Sequence, residues 1–403
     1  MHTPEFGGGI HGTKSVVFAI SDFQAKGFRS LKSVSYPMSN LDVFVGANGV
    51  GKTNLYRALE LMRAAADNTV ARDLAWEGGL TSALWAGHRL GRRPVEISLA
   101  VGLFDPSGGA EAARYRYELT IGWPAPMAAA FDGEPHIKTE SLVYLRRSRP
   151  LRLLERKGPS VMARGDEDRI VQIDLDLLPS ETALGRLEDP SRFPELDIVR
   201  RTLQQWRFYH GFRMDSASPL RRACPAVATP VLAADGSDLA AVFATLAWIR
   251  RDRSELDAAI QGAFPGSQLV VLGPEGAVSF AMVFPEFPQR QFAAAELSDG
   301  TLRFLALAGA LLAYRLPPFI ALNEPEASLH PDLMEPLAAM VVNAAKRSQV
   351  WLVTHSERLA EAVTAAGGGK VRTVVKTDGA TMIEGLKAWG EFEDEASEGN
   401  EDG

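Results

Sequence analysis

A single cysteine, Cys224, in 403 residues leaves no intrachain disulfide and no cysteine-rich metal site, which fits a reducing compartment such as the cytoplasm. Long hydrophobic runs are missing too. The longest, Phe304 to Tyr314, is bounded by Arg303 and Arg315 and falls short of the about 20 residues that span a bilayer, so no membrane partner is expected. Residues 1–14 have neither a basic n-region nor an apolar h-region and read as a flexible leader, unlike a signal peptide. No sustained heptad repeat is present, which excludes an extended coiled coil.

Basic charge is scarce in one place only. The net charge of -7 is matched by the seven carboxylates between Glu391 and Asp402, a stretch without Lys or Arg, so the rest of the chain balances to zero. Residues 389–403 are expected to be an acidic, disordered tail. Within the body, arginines cluster at Arg89, Arg92 and Arg93, at Arg146, Arg147, Arg149, Arg152 and Arg156, and at Arg250, Arg251 and Arg253. Such clusters can track phosphates or form ordinary solvated faces.

What is abundant is apolar sequence, 46% of residues, enough for one large core or two modest ones. Ser15–Ile20 and Asp22–Gly27 read as short extended segments, and Leu41–Val45 as a buried strand meeting a glycine-rich turn. Leu55, Ala58, Leu59 and Met62 then recur at helical spacing. From Pro94 to Leu145 alternating segments such as Val95–Leu99 and Tyr115–Leu119 predict an antiparallel sheet. Residues 180–263 have a helical pattern, including Leu239–Ile249. The last third predicts a helix over 299–314, a strand at Phe319–Leu322, a helix at Pro331–Ala345 and strands at Val350–Val353 and Val371–Lys376.

Gly46-Ala47-Asn48-Gly49-Val50-Gly51-Lys52-Thr53 matches the eight-position phosphate loop. Its glycines let backbone N–H groups converge on phosphate oxygens, Lys52 can reach the β and γ phosphates, and the Thr53 hydroxyl can ligate Mg²⁺. Nucleotide binding is the expectation. Glu324 stands at the end of the apolar strand run beginning Phe319–Leu322, where a carboxylate can orient or deprotonate an attacking water.

Three distant segments narrow the class: Leu297-Ser298-Asp299-Gly300-Thr301, the run Asn323-Glu324-Pro325-Glu326 continuing to Pro331, and Thr354-His355-Ser356. Together they resemble the signature, Walker B with D-loop, and switch-histidine motifs of ABC-type ATPases. The branch is the SMC-like and RecF-like one, AAA-family predicted ATPases, as Asn48, Asn54 and the opening segment Gly27-Phe28-Arg29-Ser30-Leu31 also indicate. The resemblance covers residues 15–60 and 290–360. It implies an α/β P-loop NTPase head with a mixed central sheet, an antiparallel β subdomain and a helical lobe. Lobe I would take residues 15–180 and 290–388, and the helical lobe 181–289.

The same resemblance implies ATP and Mg²⁺ as cofactors, with Gly46, Asn48, Gly49, Gly51, Lys52, Thr53, Asn54 and Arg29 around the nucleotide. Glu324 and His355 would be catalytic. Ser298 and Gly300 would contact the γ-phosphate bound to a second copy, giving an ATP-dependent homodimer, although an ordinary Ser N-cap followed by Gly has the same form. Thr53 and the residue at position 323 would face the metal. Here the sequence departs from the family, with Asn323 in place of the usual aspartate, so a neutral carbonyl replaces a charge near Mg²⁺ and slow turnover is expected. The linking glutamine of the class has no secure counterpart, with Gln172 and Gln204 as candidates by location.

Ser-Asp-Gly-Thr at the signature argues against a transporter. The expected role is a RecF-like ATP switch in DNA repair or DNA-associated processes. The alternative is a regulatory ATPase controlling a separate effector protein, such as a nuclease or toxin in a defence system.

Overall fold

The computed structural model describes residues 18–393 apart from 89–95, 110–111, 125–130, 132, 147–148, 166–168, 251–252 and 274–275. The leader, most of the acidic tail, and Arg89, Arg92, Arg93, Arg147 and Arg251 lie outside the described residues. Strands β1 (Ala19–Phe28), β2 (Leu31–Pro37) and β3 (Leu41–Val45) precede helices α1 (Lys52–Ala66), α2 (Val70–Trp76) and α3 (Gly79–Ala83). Strands β4 (Ile97–Phe104), β5 (Arg114–Gly122), β6 (His136–Tyr144), β7 (Leu151–Lys157), β8 (Ser160–Arg164) and β9 (Ile170–Ile173) follow. With β1 and β2 they form an eight-stranded antiparallel sheet in the order β2-β1-β4-β5-β6-β7-β8-β9, of which the alternation over residues 94–145 predicts β4 to β6. The two extended segments expected around Ser21 are one strand, irregular in register between Ile20 and Asp22.

Next come α4 (Ala183–Arg186), α5 (Pro194–Gln204), β10 (Arg207–Tyr209), β11 (Cys224–Pro225), α6 (Leu239–Ala244), α7 (Ser254–Ala263), β12 (Gln268–Leu272), β13 (Ala277–Val283) and β14 (Phe292–Ala293). The chain closes with α8 (Asp299–Leu312), β15 (Phe319–Asn323), α9 (Met334–Ala345), β16 (Gln349–Thr354), α10 (Glu357–Ala365), β17 (Lys370–Thr377) and β18 (Ala380–Ile383). No helix among the described residues is long and apolar enough to cross a membrane.

A six-stranded sheet ordered β10-β15-β16-β3-β17-β18 lies at the centre. Its strands are parallel except for β18. Because successive side chains of a strand point to opposite faces, a strand covered on both sides reads as continuously apolar. Phe319, Ala321, Trp351 and Val353 therefore enter one core with α1, α5 and the antiparallel sheet. Ile320, Leu322, Val350 and Leu352 enter a second core with α6, α8 and α9.

Two expected boundaries move. Residues 183–208 belong with the first core, because Leu184, Leu196, Val199, Leu203 and Phe208 pack there and β10 pairs with β15, while Tyr209 at the end of β10 enters the second. The region expected to be a helical lobe is mixed, since β13 pairs with β11, β12 and β14. The expected helix over 239–249 is α6 followed by a π-helical turn at Thr245–Arg250. At the other end, the ordered body runs past residue 389. Phe392 is 1% exposed, with Arg372 3.4 Å from its ring centre and the Tyr36 ring 5.8 Å away.

Candidate active site

Parallel strands deliver their following residues to one edge of a sheet. Register pairs Thr354 with Val45, Val353 with Asn323, and Tyr209 with Leu322. The phosphate loop, hundreds of residues earlier in sequence, therefore leaves the sheet beside Glu324 and His355.

The loop is held by contacts that tolerate glycine alone. A Cβ on Gly46 would lie 2.4 Å from the Val374 carbonyl oxygen. At Gly51, φ is +100° and a Cβ would meet Thr381 Oγ1 at 1.9 Å and Ser30 Oγ at 2.4 Å. Those hydroxyls form a brace: Ser30 Oγ and Thr381 Oγ1 are 2.6 Å apart, Thr381 donates to the Val50 carbonyl at 2.8 Å, and Asn54 Nδ2 donates to Ser30 at 2.6 Å. Gly51→Ala should therefore lose about 1–3 kcal/mol of stability from backbone strain and also displace the loop. Urea unfolding and ATP titration check this; unchanged stability with full nucleotide affinity would contradict it.

Lys52 opens α1 and is 4% exposed. Its Nζ donates to the carbonyls of Gly46 at 2.6 Å and Ala47 at 2.8 Å, so the ammonium sits inside the turn of the loop. Burial pushes its pKa below the ordinary lysine value, while the Glu324 and Glu326 carboxylates push it back up. Asn48 and Gly49 stay exposed at the loop rim.

Thr53 Oγ1 and Asn323 Oδ1 face each other at 3.5 Å. A cation between them would be held by one hydroxyl, one amide oxygen, phosphate oxygens and water, the oxygen-only environment that Mg²⁺ takes. Among the described residues no group of three or more His, Cys, Asp or Glu is placed to hold a metal.

Glu324 follows Asn323 with φ +49°, an uncommon conformation for a residue with a side chain. Its N–H donates to Val353 O at 2.8 Å, and Arg303 of α8 donates to the carbonyls of Glu324 at 3.0 Å and Pro325 at 3.2 Å. The turn is thus pinned from both sides. His355 Nδ1 lies 3.8 Å from Glu324 Oε1 and 3.2 Å from Glu326 Oε1, which brings the two expected catalytic residues together.

Ser298 and Gly300 are placed differently. Ser298 Oγ caps α8, accepting from Thr301 N at 3.2 Å. A Cβ on Gly300 would lie 3.0 Å from Ser328 O, so the start of α8 borders the 324–328 turn. Asp299 pairs with Arg221 at 2.5 Å. Neither Ser298 nor Gly300 has a hydrogen-bond partner in the phosphate loop of its own chain.

Arg29, at φ +48° in the β1–β2 turn, binds Glu77 at 2.6 Å and Asn54 Oδ1 at 3.4 Å. Glu77 also holds Arg57 at 3.3 Å. Neither glutamine candidate reaches the site. Gln172 lies in β9 at the far edge of the antiparallel sheet, and Gln204 Nε2 donates to Ala66 O at the opposite end of α1 from Lys52.

Several clustered arginines are spent on structure. Arg156 is 1% exposed and donates to the carbonyls of Gly158 and Glu181. Arg152 binds Glu155 at 2.5 Å, and Arg253 binds Asp257 and the Leu269 carbonyl, each at 2.9 Å. Arg146 and Arg149 line a hollow of about 630 Å³ beside β7 and β8, together with Arg152, Arg164 and Glu155.

The phosphate loop follows β3, the histidine follows its neighbour β16, and the acid-ended strand β15 lies next beyond, all at one edge of the mixed central sheet; this is the ABC-type P-loop NTPase fold. Two crystal structures share the fold. One is an SMC head bound to the C-winged-helix domain of ScpA, 15% identical over 91% of this chain and 97% of that one, with a TM-score of 0.54. The other is an SMC head domain with an extended coiled coil, bound to the C-terminal domain of ScpA, from Pyrococcus furiosus. It is 14% identical over 94% of this chain and 98% of that one, with a TM-score of 0.52. The chain belongs to the family described as AAA domain, putative AbiEii toxin, Type IV TA system, whose model spans residues 43–361. No curated protein matches it.

Proposed function

We propose that the chain is a slow ATP-hydrolysing switch that closes as a dimer around bound nucleotide. The observation that carries this is the gathering of Lys52, Thr53, Asn323, Glu324 and His355 at one sheet edge, while Ser298 and Gly300 find no partner in that loop. In this reading the loop N–H groups and Lys52 hold the β and γ phosphates, and Glu324 takes a proton from the attacking water. Bound Mg²⁺ would supply charge neutralisation at the phosphates. The helix N-terminus at Ser298 would complete the site of a second copy.

Asn323 makes the slow rate testable. Restoring a negative charge with Asn323→Asp should lower the Mg²⁺ concentration for half-maximal phosphate release several-fold and raise the maximal rate. Steady-state phosphate release from ATP over a Mg²⁺ titration measures both. Unchanged Mg²⁺ dependence would remove Asn323 from the metal site, and no release by the parent chain at any Mg²⁺ concentration would overturn the hydrolytic reading.

Two outputs are open to such a switch. Control of a separate effector protein is supported by the family description, which includes a toxin–antitoxin system, and by the structural use of Arg152, Arg156 and Arg253. A RecF-like role on DNA rests on Arg146 and Arg149 at the hollow beside β7. Salt-sensitive DNA binding by the ATP-bound form favours the second; a co-purifying protein whose activity follows ATP while DNA has no effect favours the first.

A further inference from the structure

Glu326 stands two residues beyond the hydrolytic carboxylate and is only 6% exposed. Burying a carboxylate is costly unless its oxygens are paired, yet this one is satisfied on a single side. Oε1 accepts from Thr354 Oγ1 at 2.5 Å and from His355 N at 3.0 Å, whereas Oε2 is buried without a hydrogen-bond partner. The same Oε1 lies 3.2 Å from His355 Nδ1. Thr354 is drawn in as well: its hydroxyl accepts from Ser356 N at 2.9 Å, so its one proton is committed to Glu326.

We propose that Glu326 is a positioning residue that keeps a proton on His355 Nδ1 and fixes the ring, leaving Nε2 as the nitrogen that serves the nucleotide. Which imidazole nitrogen bears the proton is set by the hydrogen bond the other partner offers. A carboxylate oxygen can only accept, so a proton is favoured on the nitrogen that faces it. Glu324 Oε1, 3.8 Å from the same Nδ1, acts in the same sense. Glu326 also binds the His355 backbone N–H, so one buried group sets both the ring and the turn that carries it. The catalytic part of this inference rests on the hydrolytic reading above.

The test uses the full chain. Glu326→Leu keeps the volume and removes the acceptor; Glu326→Gln keeps an amide oxygen. We expect Glu326→Leu to lower kcat by about 10–100-fold, the range for loss of a group that orients a site residue, with KM for ATP changed less than about threefold. Glu326→Gln should recover most of the loss. Nitrogen-15 histidine NMR should show the Nδ1–H form of His355 in the parent and a shift toward Nε2–H in Glu326→Leu. That spectrum does not depend on turnover, so it stands even if hydrolysis is not found. Should Glu326→Leu fail to fold, Thr354→Val, which removes only the hydroxyl that pairs with Glu326, should give a smaller fall in kcat. Its effect should be non-additive with Glu326→Gln. An Nε2–H ring in the parent, or a fall in kcat with the His355 spectrum unchanged, overturns the proposal.

Discussion

Glu324→Gln will bind ATP and Mg²⁺ as the parent does but release phosphate about 100- to 10,000-fold more slowly, the cost of removing a general base. The amide keeps the size and hydrogen-bonding reach of the carboxylate while losing its capacity to take a proton. The turn itself should survive the change. Its backbone is fixed by Val353 O and by Arg303, and none of those contacts uses the Glu324 side chain. Single-turnover phosphate release, set beside equilibrium nucleotide binding, separates the two effects. Parent-like hydrolysis by Glu324→Gln would assign the base to another residue.

Lys52→Ala should weaken ATP binding by about 10- to 150-fold while leaving the fold intact. The ammonium is the one side-chain charge inside the loop turn, and it is held there by the carbonyls of Gly46 and Ala47. Loss of a charge-assisted contact to phosphate costs about 1.5–3 kcal/mol, equivalent to about 10- to 150-fold in affinity. The neighbouring Glu324 and Glu326 carboxylates, which raise the Lys52 pKa against its burial, would then repel the triphosphate without a counterion. Calorimetric titration with ATP checks this, and binding within about threefold of the parent would contradict it.

The parts of the site that are local in sequence were readable from sequence. A strand, a glycine turn and a helix N-terminus lie within Leu41–Ala66, and an apolar strand ending in acid announces where its carboxylate will stand. Position in the sheet was readable only through motif resemblance, because parallel neighbours such as β3 and β16 are about 300 residues apart and register leaves no mark in either strand. Residues that support the site were missed for the same reason. Thr381 braces the loop through a hydroxyl contact with Ser30, and Arg303 reaches the carbonyls of Glu324 and Pro325; both act on partners distant in the chain.

The mixed second lobe was more accessible. Gln268–Leu272 and Ala277–Val283 are β-rich runs separated by the sequence Gly273-Pro274-Glu275-Gly276, a hairpin signal in the sequence set between stretches of helical pattern. Composition misplaced the tail boundary, because acidic neighbours hide Phe392, which packs on Tyr36.

The proposed site is completed by a second chain, and the mass of the Glu324→Gln protein in solution shows whether that chain is needed. With ATP and Mg²⁺, light scattering should move from the monomer mass of 43.7 kDa to twice that value. Adding Ser298→Arg to the same variant should return it to the monomer mass with ATP still bound. A Glu324→Gln protein that binds ATP and stays at 43.7 kDa would contradict the shared site.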